Sequence, residues 1–177
     1  MRQTKPNGAF VLFLLFLLTQ TFSFGASRAF GDTVSNGAAT VLEVVDTSDD
    51  PSNPAPGTLR YLVLHASDHD VIRFAEGKNT IALKATLEIG TSVTILGPAT
   101  LTQTGSGAVV ILKAQDKEAT LTNLTLSGGT DKNMGYAGSG VINWGTMRLA
   151  YCTMTGNRTY RQGAGVNNTK TLTMTNC

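Results

Sequence analysis

Charge is scarce in this chain. Asp, Glu, Lys and Arg supply 15% of its 177 residues, against ~25% in an average globular protein, and the formal net charge is only +2. No basic run and no aromatic stripe interleaved with basic residues is present, so neither the electrostatic footprint nor the base-stacking platform of a nucleic-acid binder is available. Cysteine is limited to Cys152 and Cys177, too few for a disulfide-dense scaffold. Long apolar runs are also missing. The longest, Phe10–Leu18, has nine residues and stays short of the ~20 that a spanning helix needs even when extended through Phe24. Helical periodicity is missing after Ala66. A β-rich, helix-poor domain is what remains.

The nine-residue run has a different use. Arg2 and Lys5 precede it, and small residues follow at Ser23/Gly25 and again at Ser27/Ala29. A positive start, an apolar core and a small-residue cleavage site make a secretory signal peptide. Residues 1–29 are therefore expected to take no part in the fold, with cleavage after Gly25 or Ala29. No membrane span is expected in the mature chain, which is placed outside the cell or at its surface.

Residues 30–79 read as an N-terminal cap. Thr40–Val45 has the composition of a strand, and Asp46–Gly57 is rich in the Pro, Gly, Asn and Asp that block regular structure. Thr58 can cap a short helix. Leu59, Leu62, Val63 and Ala66 then share one face, with Arg60, Tyr61 and His65 expected on its flanks or outside. Ser67–Asp70 closes the helix, and Val71 begins the next strand.

Residues 80–177 are a succession of short alternating runs: Thr80–Leu83, Ala85–Ile89, Ser92–Leu96, Thr100–Thr102, Val109–Leu112 and Thr120–Leu126, most of them separated by glycine. Glycine is plentiful (19), and threonine alternates with Leu, Ile, Val or Met. From Gly138 onward one unit is written twice. Gly140-Val141-Ile142-Asn143 returns as Gly165-Val166-Asn167-Asn168, Thr146–Leu149 returns as Thr171–Met174, and Cys152 returns as Cys177, each 25 residues later. A fixed period of roughly 20–50 residues marks a stacked repeat, and here the repeating unit is a strand. Further upstream, Leu121–Gly128 aligns with Leu149–Gly156 at an interval of 28, and Val93–Gly97 with Leu124–Gly128 at 31. The expected stacking puts Leu121, Leu124 and Leu126 on Leu149, Cys152 and Met154, and Leu149 on Met174. Neighbouring coils should lie ~4.8 Å apart, with threonines pointing outward. The fold class is all-β: a parallel β-solenoid with a short capping helix at its N-terminal end.

These units resemble the right-handed parallel β-helix proteins of the pectate-lyase-like superfamily. The Gly-x-Gly-Val-x-Asn units with Thr-Leu-Thr-Met-Thr-Asn-Cys strands are similar to its surface-protein branch, which includes chlamydial polymorphic outer-membrane proteins. Asp50–Tyr61 is similar to the segment that leads into the capping helix of family 1 pectate lyases. The resemblance covers roughly Val41 to Cys177 and implies the form of the fold, a right-handed, single-stranded parallel β-helix. It implies little about activity, because sites are grafted onto folds. Pectate lyases hold calcium on clustered aspartates and use an arginine base. Between Thr80 and Leu126 the only acids are Glu88, Asp116 and Glu118, and Asn143-Trp144 lies in no acidic cluster. No catalytic residue and no cofactor is therefore assigned.

His65 and His69 stand four apart, the spacing of a helical metal pair, but they lack further ligands and a helix running through both. They are read as solvated helix-end residues. Asp46, Asp49 and Asp50 supply hard oxygens but lack the glycine and glutamate of an EF-hand, and are read as a flexible acidic loop. No metal site is assigned. Tyr136, Trp144, Tyr151 and Tyr160 gather near the repeated loops, where they either stack on sugar rings or pack the loops against the coil. Cys152 and Cys177 fall at equivalent positions of adjacent coils, within the ~4.4–6.8 Å Cα separation that a disulfide requires. The competing reading is two thiols stacked side by side. Asn123, Asn157 and Asn167 each begin an Asn-x-Thr triplet, the N-glycosylation pattern.

Three functions follow as expectations: a non-catalytic secreted or surface scaffold for adhesion or display, the N-terminal part of a polysaccharide lyase or hydrolase whose catalytic rungs lie beyond Cys177, and a carbohydrate-binding module. Surface glycans are the expected partner. Because the last unit stops without a polar cap, the C-terminal end is expected to continue in further coils or to self-associate.

Overall fold

A computed structural model of the chain describes residues 39–131, 140–160 and 163–177. Within these residues the chain is a parallel β-solenoid of about four turns, carrying one short helix. In chain order the elements are β1 (Val41–Val44), α1 (Leu59–His65), β2 (Asp70–Phe74), β3 (Thr80–Ile89), β4 (Val93–Leu112), β5 (Glu118–Ser127), β6 (Thr130–Asp131), β7 (Val141–Asn143), β8 (Thr146–Ala150), β9 (Thr153–Thr155), β10 (Arg158–Thr159), β11 (Val166–Asn168) and β12 (Thr171–Thr175). The signal-peptide reading of residues 1–29 falls outside the described residues, as does Tyr136. Among the described residues no helix is long and apolar enough to cross a membrane.

The register sorts the strands into three parallel faces. The first runs β1, β2, the start of β4, the start of β5, β8 and β12. The second stacks the first half of β3, the middle of β4, the end of β5 and β9. The third stacks the end of β3, the end of β4, β7 and β11. Alternation then sends every second side chain inward. On the first face Leu42, Ile72, Ile95, Leu121, Leu149 and Met174 form one unbroken row. Ile81, Leu101, Leu126 and Met154 form a row on the second, and Leu87, Val110, Val141 and Val166 on the third. The central members of all three rows are buried. At roughly 1.5–3 kcal/mol for each fully buried aliphatic side chain, these rows are the main favourable contribution to the fold.

The 25-residue unit holds: Val141 pairs with Val166, Thr146 with Thr171 and Leu149 with Met174. The interval of 28 holds as well, since Leu121 pairs with Leu149 and Leu126 with Met154. The interval of 31 does not. Val93 pairs with Ala119 and Ile95 with Leu121, and the step becomes Ala99 to Leu124 past the corner. The corner of β4 holds two residues, Gly97 and Pro98, where β5 turns on Asn123 alone. The strands expected as Ser92–Leu96, Thr100–Thr102 and Val109–Leu112 are one element, β4, which bends twice without leaving the ladder. Thr80–Leu83 and Ala85–Ile89 merge in the same way into β3.

The cap begins where the sequence places it. Thr58 holds an extended conformation and its hydroxyl accepts from the Tyr61 amide, satisfying one of the helix's free N–H groups. Leu59, Val63 and Ala66 are buried, and α1 packs against β1, β2 and β3. Arg60 departs from expectation. It was assigned to the flank or outside of α1 but is buried, because β3 gives its guanidinium somewhere to bond.

Candidate functional site

The corner between the first two faces repeats the same backbone conformation. Asn123, Tyr151 and Asn176 all have left-handed φ, 56°, 55° and 52°. A side chain at such a residue is thrown outward, and Tyr151 is 61% exposed. Tyr160 follows β10 and is 85% exposed. Trp144 sits at a different corner, between β7 and β8, where its backbone N–H donates to Leu112 O at 3.1 Å. Its ring is half-buried against Ala108, Ile111 and Ile142. Ile111 and Ile142 stand in the outward row that begins at Glu88, so Trp144 packs on the outer side of the third face. Of these residues, Trp144 and Tyr151 are not brought together. Trp144 and Tyr151 flank opposite ends of β8, whose five residues span about 17 Å at ~3.3 Å each. Tyr151 and Tyr160 are exposed rings, whereas Trp144 packs against the outer side of the coil.

Several of the charged residues fix the backbone. Asp49 lies in the Asp46–Gly57 loop, yet its side chain is 1% exposed. It accepts from Arg60 Nε at 2.6 Å and Nη2 at 2.9 Å, and from the Lys84 amide at 2.7 Å. Arg60 also donates from Nη2 to Ala85 O at 2.7 Å and from Nη1 to Thr86 O at 2.8 Å. The register between β3 and β4 slips on either side of Ala85, so backbone groups here lose their regular ladder partners. Buried backbone groups must find others, and the Arg60–Asp49 pair supplies them. The acidic loop is therefore anchored at Asp49, a correction to its reading as flexible.

Asp46 and Asp50 turn away from Asp49. Asp46 accepts from the Ser48 amide and hydroxyl, and Asp50 from the amides of Ser52 and Asn53. These bonds, led in each case by the backbone donor, lower both carboxyl pKa values from their ordinary 3.8. Asp68 accepts from Lys117 Nζ and the Ser92 amide, each at 2.8 Å, and the Lys117 bond lowers its pKa most. His65 ends α1, bonds Tyr61 O through Nδ1 at 2.8 Å and stacks on the Tyr61 ring at 3.9 Å. His69 lies beyond the helix with left-handed φ. Among the described residues no three His, Cys, Asp or Glu side chains form a group that could hold a metal.

Two features were missed in the sequence or only partly seen. Arg60 gave no signal beyond sitting one residue from the apolar stripe. Asn143 stands in the repeated Gly-Val-x-Asn unit, which signals the repeat but not a role for the side chain. It is fully buried, at an inward position stacked on Leu112. Its Nδ2 donates to Asn168 Oδ1 at 2.7 Å and Thr171 O at 2.8 Å, and its Oδ1 accepts from the Gly145 amide at 3.0 Å. Asn143 therefore couples one coil to the next. Of the three Asn-x-Thr asparagines, Asn123 is exposed. The Asn157 amide is occupied by Leu126 O and the Gly129 amide.

The second face has a different character. Its outward rows are Thr80, Thr100, Thr125 and Thr153, and beside them Ala82, Thr102, Ser127 and Thr155. No charge interrupts them, and Thr102 and Ser127 bond each other at 3.0 Å. The second face thus presents an uncharged surface of hydroxyl and methyl groups over a buried aliphatic row. No protein-family model matches the chain, and no curated protein or solved structure is significantly similar to it. The architecture is that of a parallel β-solenoid, established by its register alone.

Proposed function

We propose that this chain is a secreted or surface-exposed β-helix protein of the pectate-lyase-like type, close to the polymorphic outer-membrane branch, and that it works as a non-catalytic scaffold for adhesion or display. The observation that carries this reading is the use made of its charged side chains. The one buried ion pair, among the described residues, bonds backbone groups of β3, Asp46 and Asp50 are tied to local amides, and Asp68 is held by Lys117 and the Ser92 amide. The second face turns rows of small, mostly hydroxyl side chains outward, and the rings of Tyr151 and Tyr160 are exposed. Such a surface suits contact with another surface better than acid–base chemistry, which needs a donor and an acceptor converging on one reacting atom. Surface glycans are the partner favoured by this reading, with Tyr151 and Tyr160 as the stacking residues, since their rings are exposed.

The purified protein tests it by incubation with polyuronates, with and without calcium, and by titration on immobilised glycans. Expected are no unsaturated uronide product and retention on a glycan that Tyr151→Ala and Tyr160→Ala reduce. Release of unsaturated product would replace the scaffold reading with a lyase. Export is tested separately by the mass of the N-terminal peptide recovered outside the cell, expected to begin after Gly25 or Ala29.

A further inference from the structure

Cys152 and Cys177 occupy the same place in consecutive coils. The β8–β12 register pairs Ala150 with Thr175 and continues outside the strands, where the Tyr151 amide donates to Thr175 O at 2.9 Å. Tyr151 and Asn176 then make the same left-handed turn. The residue after each turn is a cysteine. One coil earlier the equivalent residue is Leu124, buried in the core. Cys152 is 2% exposed in the same stack, whereas Cys177 is exposed, and both thiols are free. Each thiol donates to the carbonyl two residues before it, Cys152 to Ala150 O at 3.5 Å and Cys177 to Thr175 O at 3.4 Å, and Cys152 also reaches Leu121 O of the preceding coil at 3.4 Å. Strands in this register hold their Cα atoms ~4.8 Å apart, inside the ~4.4–6.8 Å range of disulfides.

We propose that Cys152 and Cys177 form an oxidation site, a thiol pair that closes into a cross-coil disulfide and staples the β12 coil to the β8 coil. The oxidant is a low-molecular-weight disulfide such as oxidised glutathione. The Cys177 thiolate, being accessible, attacks one glutathione sulfur. That S–S bond breaks, a mixed disulfide forms and one glutathione thiolate leaves. Cys152 then loses its proton and attacks the Cys177 sulfur, expelling the second glutathione. Two protein thiols are oxidised by two electrons, and one small disulfide is reduced to two thiols. Burial pushes the Cys152 thiol up, so the second step is the slower one. The staple closes a loop of 25 residues, and chain-entropy reasoning puts its effect on opening of that coil at a factor on the order of a few hundred.

The test is to treat the purified full chain with oxidised glutathione, alkylate it, and map its peptides without reduction. The expected result is a linked peptide pair containing Cys152 and Cys177, with cleavage at Lys170 by trypsin slowed at least tenfold relative to the reduced protein. Cys177→Ser, at an exposed position, should fold normally, form no link and keep the fast cleavage. A glutathione adduct persisting on Cys177 beside an unmodified Cys152, or a Cys177–Cys177 dimer, would overturn the proposal. So would a link that leaves cleavage at Lys170 unchanged. None of these outcomes depends on export or on glycan binding.

Discussion

Removing one member of the Arg60–Asp49 pair should unseat the cap. The pair is shielded from water, with side-chain exposures of 8% and 1%, and together the two residues make five bonds, three of them to backbone groups of β3. Arg60→Met leaves Asp49 charged and buried with only the Lys84 amide as partner. Asp49→Asn keeps the shape but removes the counter-charge from the guanidinium. Breaking a buried pair from one side costs about 3–5 kcal/mol, because the surviving charge is left uncompensated. Each substitution should therefore lower the unfolding free energy by roughly that amount in urea denaturation followed by circular dichroism. The double substitution should cost less than the sum of the singles, since neither charge is then stranded. Losses below about 1 kcal/mol in both single variants would mean that the pair is hydrated in solution and does not anchor the loop to β3.

Asn143→Ala should cost about 1–3 kcal/mol in the same assay, because the Gly145 amide and Thr171 O lose a buried partner. Gly145→Ala should be destabilising by about 1–3 kcal/mol, since its new Cβ would stand 2.5 Å from Ala114 O and 2.6 Å from Lys117 O. Gly90→Ala, with nothing within 4 Å, serves as the neutral comparison. Acid should also weaken the fold in a defined window. The carboxyl groups of Asp46, Asp50 and Asp68 are lowered from 3.8. Their contribution is therefore complete above that value and is lost as pH falls through the lowered ones. Denaturation midpoints recorded from pH 6 down to 2 should decline below about 4, and Asp68→Asn should shallow that decline.

The sequence by itself determined the architecture of the later coils. Strand side chains alternate with period two, so a repeat carrying its leucines at identical phase can stack only in register, which is why Leu149 lies over Met174. It also determined the helix start, because Thr58 is the one hydroxyl placed to meet the first free amides of an apolar stripe. Alternation has no memory of which strand is which, however, and any two alternating runs can be laid over each other. That ambiguity produced the interval of 31 for Val93–Gly97. The true pairing depends on how many residues fill a corner, two at Gly97-Pro98 against one at Asn123, and corner geometry belongs to the assembled coil. The same holds for the aromatic residues. Their nearness in sequence left sugar stacking and loop packing both open, and the five residues of β8 place Trp144 and Tyr151 at opposite ends of that strand. Only the tertiary structure decided that Arg60 and Asp49 belong inside, because what draws them in is a set of backbone groups on β3 that become unpartnered when that strand bends.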